Sequence, residues 1–308
     1  MLNSQTITEG NVKNPSLENI AEVQDFWVLL KPRVMSLSIF SALVGLILAP
    51  GEIHPVLGFT AILLTALGAG SAGALNMWFE GDIDARMERT KTRPIPMGRL
   101  TPGAVLGFGL TLGIAAVSLM GLLINLFTAS LLAFTILFYV VVYTMWLKSR
   151  TTQNIVIGGV SGALPPLIGW AAVTGSLSLE PMLLFAIIFS WTPAHFWALA
   201  ILCKDDYNKA NLPMLPNVAG LEKTYIQILI YTGLTVAVSF TPYILGFSGA
   251  FYGVIAIGFG LFFIWKAVEL YLKKEEKNAR SLFFTSIFYL FAIFSGLALD
   301  RLLFGGVG

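Results

Sequence analysis

The sequence predicts an all-α polytopic membrane protein. Nine transmembrane helices form a bundle around a central lipid-accessible cavity, with the N-terminus in the cytoplasm. Three observations predict it. First, hydrophobic residues make up 56% of the chain and charged residues only 12%, against about 25% charged in ordinary globular chains. Second, the apolar residues gather into nine runs, at 34–50, 56–79, 103–124, 126–147, 155–173, 181–203, 225–245, 250–272 and 282–303. Each is about long enough to cross ~30 Å of hydrocarbon, and each must be helical, because lipid offers the backbone no hydrogen-bond partner. Third, the basic residues fill every second loop.

The elements follow in order. Residues 1–25 form a polar tail, expected to be disordered, with Lys13 as its one basic residue. No basic start leads into a short apolar core, so no cleavable signal peptide is expected. Residues 26–308 form the membrane domain. The stretch Asp25-Phe26-Trp27-Val28-Leu29-Leu30, beside Lys31-Pro32-Arg33, reads either as a short interfacial helix or as a ragged start to span one. Span two ends in Asn76-Met77-Trp78-Phe79-Glu80-Gly81-Asp82-Ile83-Asp84, and Arg86 to Arg99 fill the loop before span three. Spans three and four turn at Asn125, and Lys148 and Arg150 follow span four. Span five carries Gly158-Gly159, Gly162, Pro165-Pro166 and Gly169-Trp170. These interruptions suit either close helix packing or the wall of a flat pocket. Span six carries Thr192-Pro193-Ala194-His195-Phe196-Trp197 and ends in Lys204-Asp205-Asp206; Lys209 and Lys223 precede span seven, and Lys273 to Arg280 separate spans eight and nine.

The loops near Glu52, Asn125, Glu180 and Phe247 hold no Lys or Arg, and of 19 basic residues only Arg301 lies on their side. That bias puts the charged loops in the cytoplasm. The loops after spans two and six resemble each other: acids, basic residues, then a proline pair. This points to a duplicated four-helix unit, which would set the two acid clusters face to face across one cavity. Cys203 is alone, so no intrachain disulfide forms. No nucleic-acid partner is expected.

The chemistry gathers at the end of span two. Asn76, Glu80 and Asp84 are four apart and share one helix face. Two carboxylates and an amide oxygen suit a hard cation such as Mg²⁺. Asp82 points elsewhere and is expected to cap, or to pair with Arg86. Arg89, Lys91 and Arg93, with Lys148, Arg150 and Lys204, suit the phosphates that such a cation would carry. Asp205 and Asp206 would complete the metal set from the facing helix. Asp206 falls about three turns after His195, on the same face. His195 reads either as a structural residue bonded to a carbonyl freed by Pro193, or as an axial ligand or proton carrier beside an aromatic substrate. His54 reads as a turn residue. Acids, Mg²⁺ and a basic clamp at the mouth of a lipid-accessible cavity describe a site for a diphosphate with a greasy tail. The departing charge would be stabilised there. Trp78, Phe79, Tyr143, Trp146, Trp170, Phe196 and Trp197 are candidate cavity lining for an allylic cation, with core packing as the default reading for each.

Lys31-Pro32-Arg33-Val34, Asn76 with Asp82-Ile83-Asp84, Met87 to Pro94, Tyr143 to Lys148, Asn154 to Gly159, Pro165 to Trp170, His195-Phe196-Trp197 and Asp206-Tyr207 followed by Pro213-Met214-Leu215-Pro216 carry a resemblance. The chain resembles the intramembrane aromatic prenyltransferase superfamily and, within it, the heme O synthase branch. The likeness runs from span one through the loop after span six. It implies transfer of farnesyl from farnesyl diphosphate to the 2-vinyl group of heme B, with water addition, for terminal oxidase cofactor synthesis. It implies Mg²⁺ as cofactor, with Asn76, Glu80, Asp84 and Asp206 catalytic, and Asn76, Glu80, Asp84, Asp205 and Asp206 on the metal. Arg89, Lys91, Arg93, Lys148, Arg150 and Lys204 fall to the diphosphate, and His195 and Trp197 to heme. The partners implied are farnesyl diphosphate, heme B, membrane lipid and a heme A synthase, in the cell inner membrane with the site facing the cytoplasm. Two departures stand out: the middle acid of the first motif is Glu80 where the superfamily has Asp, and no DxxxD surrounds Asp205-Asp206. The competing readings are a prenyltransferase for a quinone ring or a chlorophyll-type tetrapyrrole, and a secondary transporter. The acids lie near a membrane edge, not its midplane, which weighs against the transporter.

Overall fold

The structure is a computed structural model describing residues 21–305. Helices α1 (Val23–Leu29) and α2 (Pro32–Leu48) meet at a 51° bend. Helix α3 (Pro55–Phe79) runs into the short α4 (Gly81–Asp84), then a turn-rich loop leads to α5 (Pro102–Leu123). Helix α6 (Leu126–Leu137) continues through a π-helical stretch, Phe138–Leu147. Next come α7 (Asn154–Ala163), α8 (Pro165–Thr174) and α9 (Leu179–Leu202), then the short α10 (Lys204–Lys209) and α11 (Leu215–Val218). The described chain ends with α12 (Leu221–Ile244), α13 (Ala250–Lys273) and α14 (Glu276–Phe304). No strand occurs among the described residues. Among the described residues eight helices are long and apolar enough to cross a membrane, or nine if the bent α1–α2 pair counts as one span.

Three local results differ from the sequence reading or decide between its alternatives. Residues Val23 to Asp25, assigned to the polar tail, begin α1, and Asp25 is buried against Arg99 at 2.8 Å (Nε to Oδ1). The remainder of the expected tail lies largely outside the described residues. The stretch before span one is a separate helix, not a ragged start, with Leu29 fully buried alongside Ala74 and Met77 of α3. Span five is two helices broken at Leu164, where Pro165 lacks the N–H to continue α7.

Packing explains the glycines of span five. A Cβ on Gly169 would run into the Ala42 carbonyl of α2, and one on Gly45 into the Pro166 carbonyl of α8. Small residues thus let two backbones touch, which is how helices gain dispersion energy where lipid supplies no hydrophobic drive. A Cβ on Gly158 would meet the Tyr143 ring. Gly162 has open space. Helix α3 packs on α5, and four spans later α9 packs on α12. Helices α7 and α14 both pack on α9, and α2 bridges α14 and α8.

Candidate functional site

The α3–α4 junction builds the site. The helical ladder survives the break, since Glu80 N–H donates to the Asn76 carbonyl (3.0 Å) and Asp84 N–H to the Glu80 carbonyl (2.7 Å). Asn76, Glu80 and Asp84 therefore keep their common face, and all three are at most 2% exposed. Asp82 is exposed and forms no ion pair with Arg86 among the described residues.

Each of the three is held by a cation or its relay. Lys31 Nζ donates to Asn76 Oδ1 (2.6 Å), and Asn76 Nδ2 donates to Thr144 Oγ1 (3.1 Å). Lys148 Nζ meets Glu80 Oε1 at 2.5 Å, and Arg93 Nη1 meets Asp84 Oδ2 at 2.6 Å. Asp84 Oδ1 is buried with no partner. Asn154 Nδ2 donates to the carbonyls of Lys148 (3.3 Å) and Thr151 (2.6 Å), which fixes the turn carrying Lys148. Lys148 and Arg93 neutralise Glu80 and Asp84, and Lys31 adds a third cation. Burial, then the Arg93 charge, pulls the Lys31 ammonium down to about 7, so it is partly charged at neutral pH. Buried charge of one excess sign attracts an anion.

Burial pushes the Glu80 carboxyl up, but the charge and hydrogen bond of Lys148, with Lys31 and Arg93, more than offset this and hold it below its ordinary value. Burial likewise pulls the Lys148 ammonium down, and Glu80 raises it above its ordinary value. Stability from a depressed carboxyl is fully present above its unfolded value and lost only as pH falls through the folded one. Glu80→Gln should therefore destabilise the protein, by about 1–3 kcal/mol, because Lys148 is mostly buried and keeps only a neutral acceptor in place of its anion. Thermal melts of the two proteins at one pH check this, and an unchanged melting temperature contradicts the ion pair.

The two acid clusters meet, though not as a metal cage. Asp206 accepts from the backbone N–H groups of Glu88 and Arg89, at 3.2 Å each. It ties α10 to the basic loop, which puts the second cluster beside the first. Asp205 is exposed. Among the described residues no three His, Cys, Asp or Glu side chains converge to hold a metal. Of the five residues predicted on the metal, Asn76, Glu80 and Asp84 share one face, while Asp206 is taken up by the Glu88 and Arg89 backbone and Asp205 is exposed. His195 and Asp206 do not share one continuous helix either, because α9 stops at Leu202 and α10 restarts at Lys204.

Of the other cations, Lys91 pairs with exposed Glu88. Arg89 and Arg150 are exposed and Lys204 is half-buried. Arg93 and Lys148 alone of the predicted clamp reach the acids. Sequence reasoning did not assign Lys31, Thr144 or Asn154 to the site, although all three stand in the quoted motifs.

His195 is buried in a sandwich. Trp191 stacks on the ring at 4.2 Å and Phe283 of α14 at 4.6 Å, while Nδ1 lies 2.7 Å from Ser286 Oγ. The expected bond to a carbonyl freed by Pro193 is replaced by this tie to α14. With Nδ1 and both faces engaged, Nε2 is the ring atom left for a ligand. Trp197 does not join it. Its indole is 1% exposed and packs edge-on against Tyr231 of α12, 5.4 Å between centroids. Of the candidate lining, Trp170 is core, Phe79 and Trp146 are exposed, and Tyr143 covers Gly158.

Residues 38–292 match the sequence pattern of the UbiA prenyltransferase family. The chain is 55% identical over 300 residues to the protoheme IX farnesyltransferase of Nitrobacter hamburgensis, covering 96% of both chains. It is 57% identical over 298 residues to protoheme IX farnesyltransferase 2 of Nitrobacter winogradskyi, again covering 96% of both. Its fold is similar to that of a digeranylgeranylglyceryl phosphate synthase (TM-score 0.75, 18% identity, 90% of this chain and 98% of that one). It is also similar to a UbiA homologue from Archaeoglobus fulgidus bound to DMAPP and Mg²⁺ (TM-score 0.60, 14% identity, 88% and 99%).

Proposed function

The chain belongs to the UbiA prenyltransferase family, and from that premise we propose that it transfers a farnesyl group from farnesyl diphosphate to the 2-vinyl group of heme B. Water adds and diphosphate leaves, giving heme O. The observation that carries this reading is identity of at least 55%, along 96% of the chain, to proteins named protoheme IX farnesyltransferase. The mouth geometry supplies the chemistry.

The donor set fits a divalent cation. Asp84 Oδ1 is buried without a partner, and Glu80 and the Asn76 amide oxygen stand on the same face. Mg²⁺ characteristically takes one or two protein carboxylates and completes its shell with substrate phosphates and water. Bound there, Mg²⁺ supplies neutralising charge to the diphosphate oxygens as the bond to the farnesyl carbon breaks. Arg93, Lys148 and Lys31 carry the excess positive charge that holds the diphosphate. Arg89, Lys91, Arg150 and Lys204 surround the mouth and draw the anion in. Asp206 acts by pinning the Glu88–Arg89 backbone, so it is a positioning residue. The farnesyl carbon, freed of diphosphate, is attacked by the vinyl carbon, and water captures the cation left on the heme side chain.

His195 Nε2 is the group proposed to meet heme iron, its ring oriented through Nδ1 by Ser286, as second partners orient ligating histidines elsewhere. His195→Ala should weaken heme binding at least about tenfold while leaving farnesyl diphosphate binding within about twofold. Soret titration and a farnesyl diphosphate competition assay check it, and equal losses for both ligands would contradict it. The basic loops orient the bundle with this mouth toward the cytoplasm, in the inner plasma membrane. Heme O is then available to a heme A synthase or to an oxidase in the same bilayer.

The test is product formation. Purified protein given heme B, farnesyl diphosphate and Mg²⁺ should yield the hydroxyethylfarnesyl heme by mass, and a chelator should stop it. Prenylation of a quinone ring or a chlorophyll-type tetrapyrrole in place of heme would overturn the substrate assignment, and uptake without product would favour the transporter.

A further inference from the structure

Lys31 stands at the bend between α1 and α2 with φ 50° and ψ 48°, the left-handed region, directly before Pro32. A side chain is disfavoured there, and the residue before a proline is pushed toward extended backbone instead. Non-glycine residues held in that region gather at ligand clamps and switches. What the conformation achieves here is reach. The Lys31 stem crosses α3 at Gly73, where an added Cβ would lie 3.5 Å from Lys31 Cδ and 3.0 Å from the Leu29 carbonyl oxygen. Asn76 follows on the same face of α3, and Lys31 Nζ ends 2.6 Å from its Oδ1.

That oxygen has no duplicate on the cation-holding face. Glu80 gives Oε1 to Lys148 and Asp84 gives Oδ2 to Arg93, so each carboxylate keeps a second oxygen. The Asn76 amide has one oxygen. Its Nδ2 donates to Thr144 Oγ1, which keeps the oxygen turned to Lys31. A Mg²⁺ ion ~2.1 Å from that oxygen and an ammonium on the same atom repel each other. The two therefore exclude one another at Asn76.

The backbone around Lys31 is fixed. Asp25 latches α1 to Arg99 at 2.8 Å, and Leu29 is fully buried. Any exchange falls to the Lys31 side chain, a flexible four-carbon stem. A diphosphate oxygen is an anionic acceptor, and it holds a lysine donor more strongly than a neutral amide does. We infer that Lys31 competes with the divalent cation for the Asn76 amide oxygen and gives it up only to reach a diphosphate, so that cation and diphosphate bind as one unit. This rests on the reading of Asn76, Glu80 and Asp84 as the cation-holding face, and adds to it an order of binding. By linkage each ligand raises the affinity of the other, and Lys31 carries that coupling. When diphosphate departs, Lys31 returns to Asn76 and the cation is released with it.

Manganese titrations of the full-length protein, read by electron paramagnetic resonance with and without a farnesyl diphosphate analogue, test it. Without the analogue, Lys31→Met should bind Mn²⁺ at least about tenfold tighter than the wild type. The gain should vanish when Asp84→Asn is added, which places the bound ion on the same face. The analogue should tighten Mn²⁺ binding in the wild type by at least about tenfold more than in Lys31→Met. Lys31→Gln, neutral and shorter, should behave like Lys31→Met and serves if methionine disturbs the fold, which a thermal melt reports. A merely structural role for Lys31 predicts weaker Mn²⁺ binding in both variants, the opposite sign. Wild-type affinity in both variants without the analogue, or an undiminished response to it, would overturn the inference. The cation-holding face would still stand if the wild type bound Mn²⁺ with the analogue and Asp84→Asn did not. A wild type that binds no Mn²⁺ under either condition overturns that face, and the inference with it.

Discussion

Asp84→Asn lowers turnover by at least about 10²–10³-fold while the protein still inserts and melts cooperatively. Asp84 is 0% exposed, with Oδ2 on Arg93 and Oδ1 unpaired. Asparagine keeps the volume and leaves an oxygen for Arg93. It removes the negative charge that the cation needs and turns one oxygen into a donor. Because Arg93 is only partly buried, it regains water when unpaired, so the cost to folding is the smaller effect. Product formation by mass, paired with a thermal melt, separates the two. Full activity in this variant would remove Asp84 from the site.

Gly169→Val costs the fold about 3 kcal/mol or more without touching any group at the mouth. The added carbon meets the Ala42 carbonyl of α2, which is helical backbone and has no rotamer to change. The α2–α8 crossing must open, and α2 is what carries Lys31 to Asn76. Gly162→Ala is the matched control, because nothing lies within 4 Å of its added carbon. The control should be neutral or stabilise by up to about 1 kcal/mol, as helical glycines replaced by alanine do. Thermal unfolding of both in detergent checks the difference; equal melting temperatures would contradict the close crossing.

The spans and the acid stripe were legible because both are local. Hydropathy over some twenty residues and an i, i+4, i+8 spacing need no knowledge of partners. The stripe even survives the α3–α4 break, since the backbone ladder continues through Glu80 and Asp84. What stayed hidden is set by contacts far apart in sequence. Lys31 reaches Asn76 across 45 residues, and Lys148 reaches Glu80 across 68. Spacing alone treats Lys31 as an ordinary loop cation, and places Lys148 in a phosphate clamp without pairing it to Glu80. The contacts of the second acid cluster were hidden for the same reason. Asp205 and Asp206 are adjacent in sequence, yet one is exposed and the other caps a loop more than a hundred residues away. The continuous helix assumed from His195 to Asp206 fails at Cys203, where α9 leaves the apolar run. The recognised motifs pointed to the right neighbourhood, and side-chain geometry assigned the work within it.

Manganese binding read by electron paramagnetic resonance, with a farnesyl diphosphate analogue present, tests the mouth most directly. The wild type should bind the ion only together with the analogue, and Asp84→Asn should lose it while keeping its fold. Equal binding by both proteins, or binding that ignores the diphosphate, would contradict the assignment of Asn76, Glu80 and Asp84 as the cation-holding face.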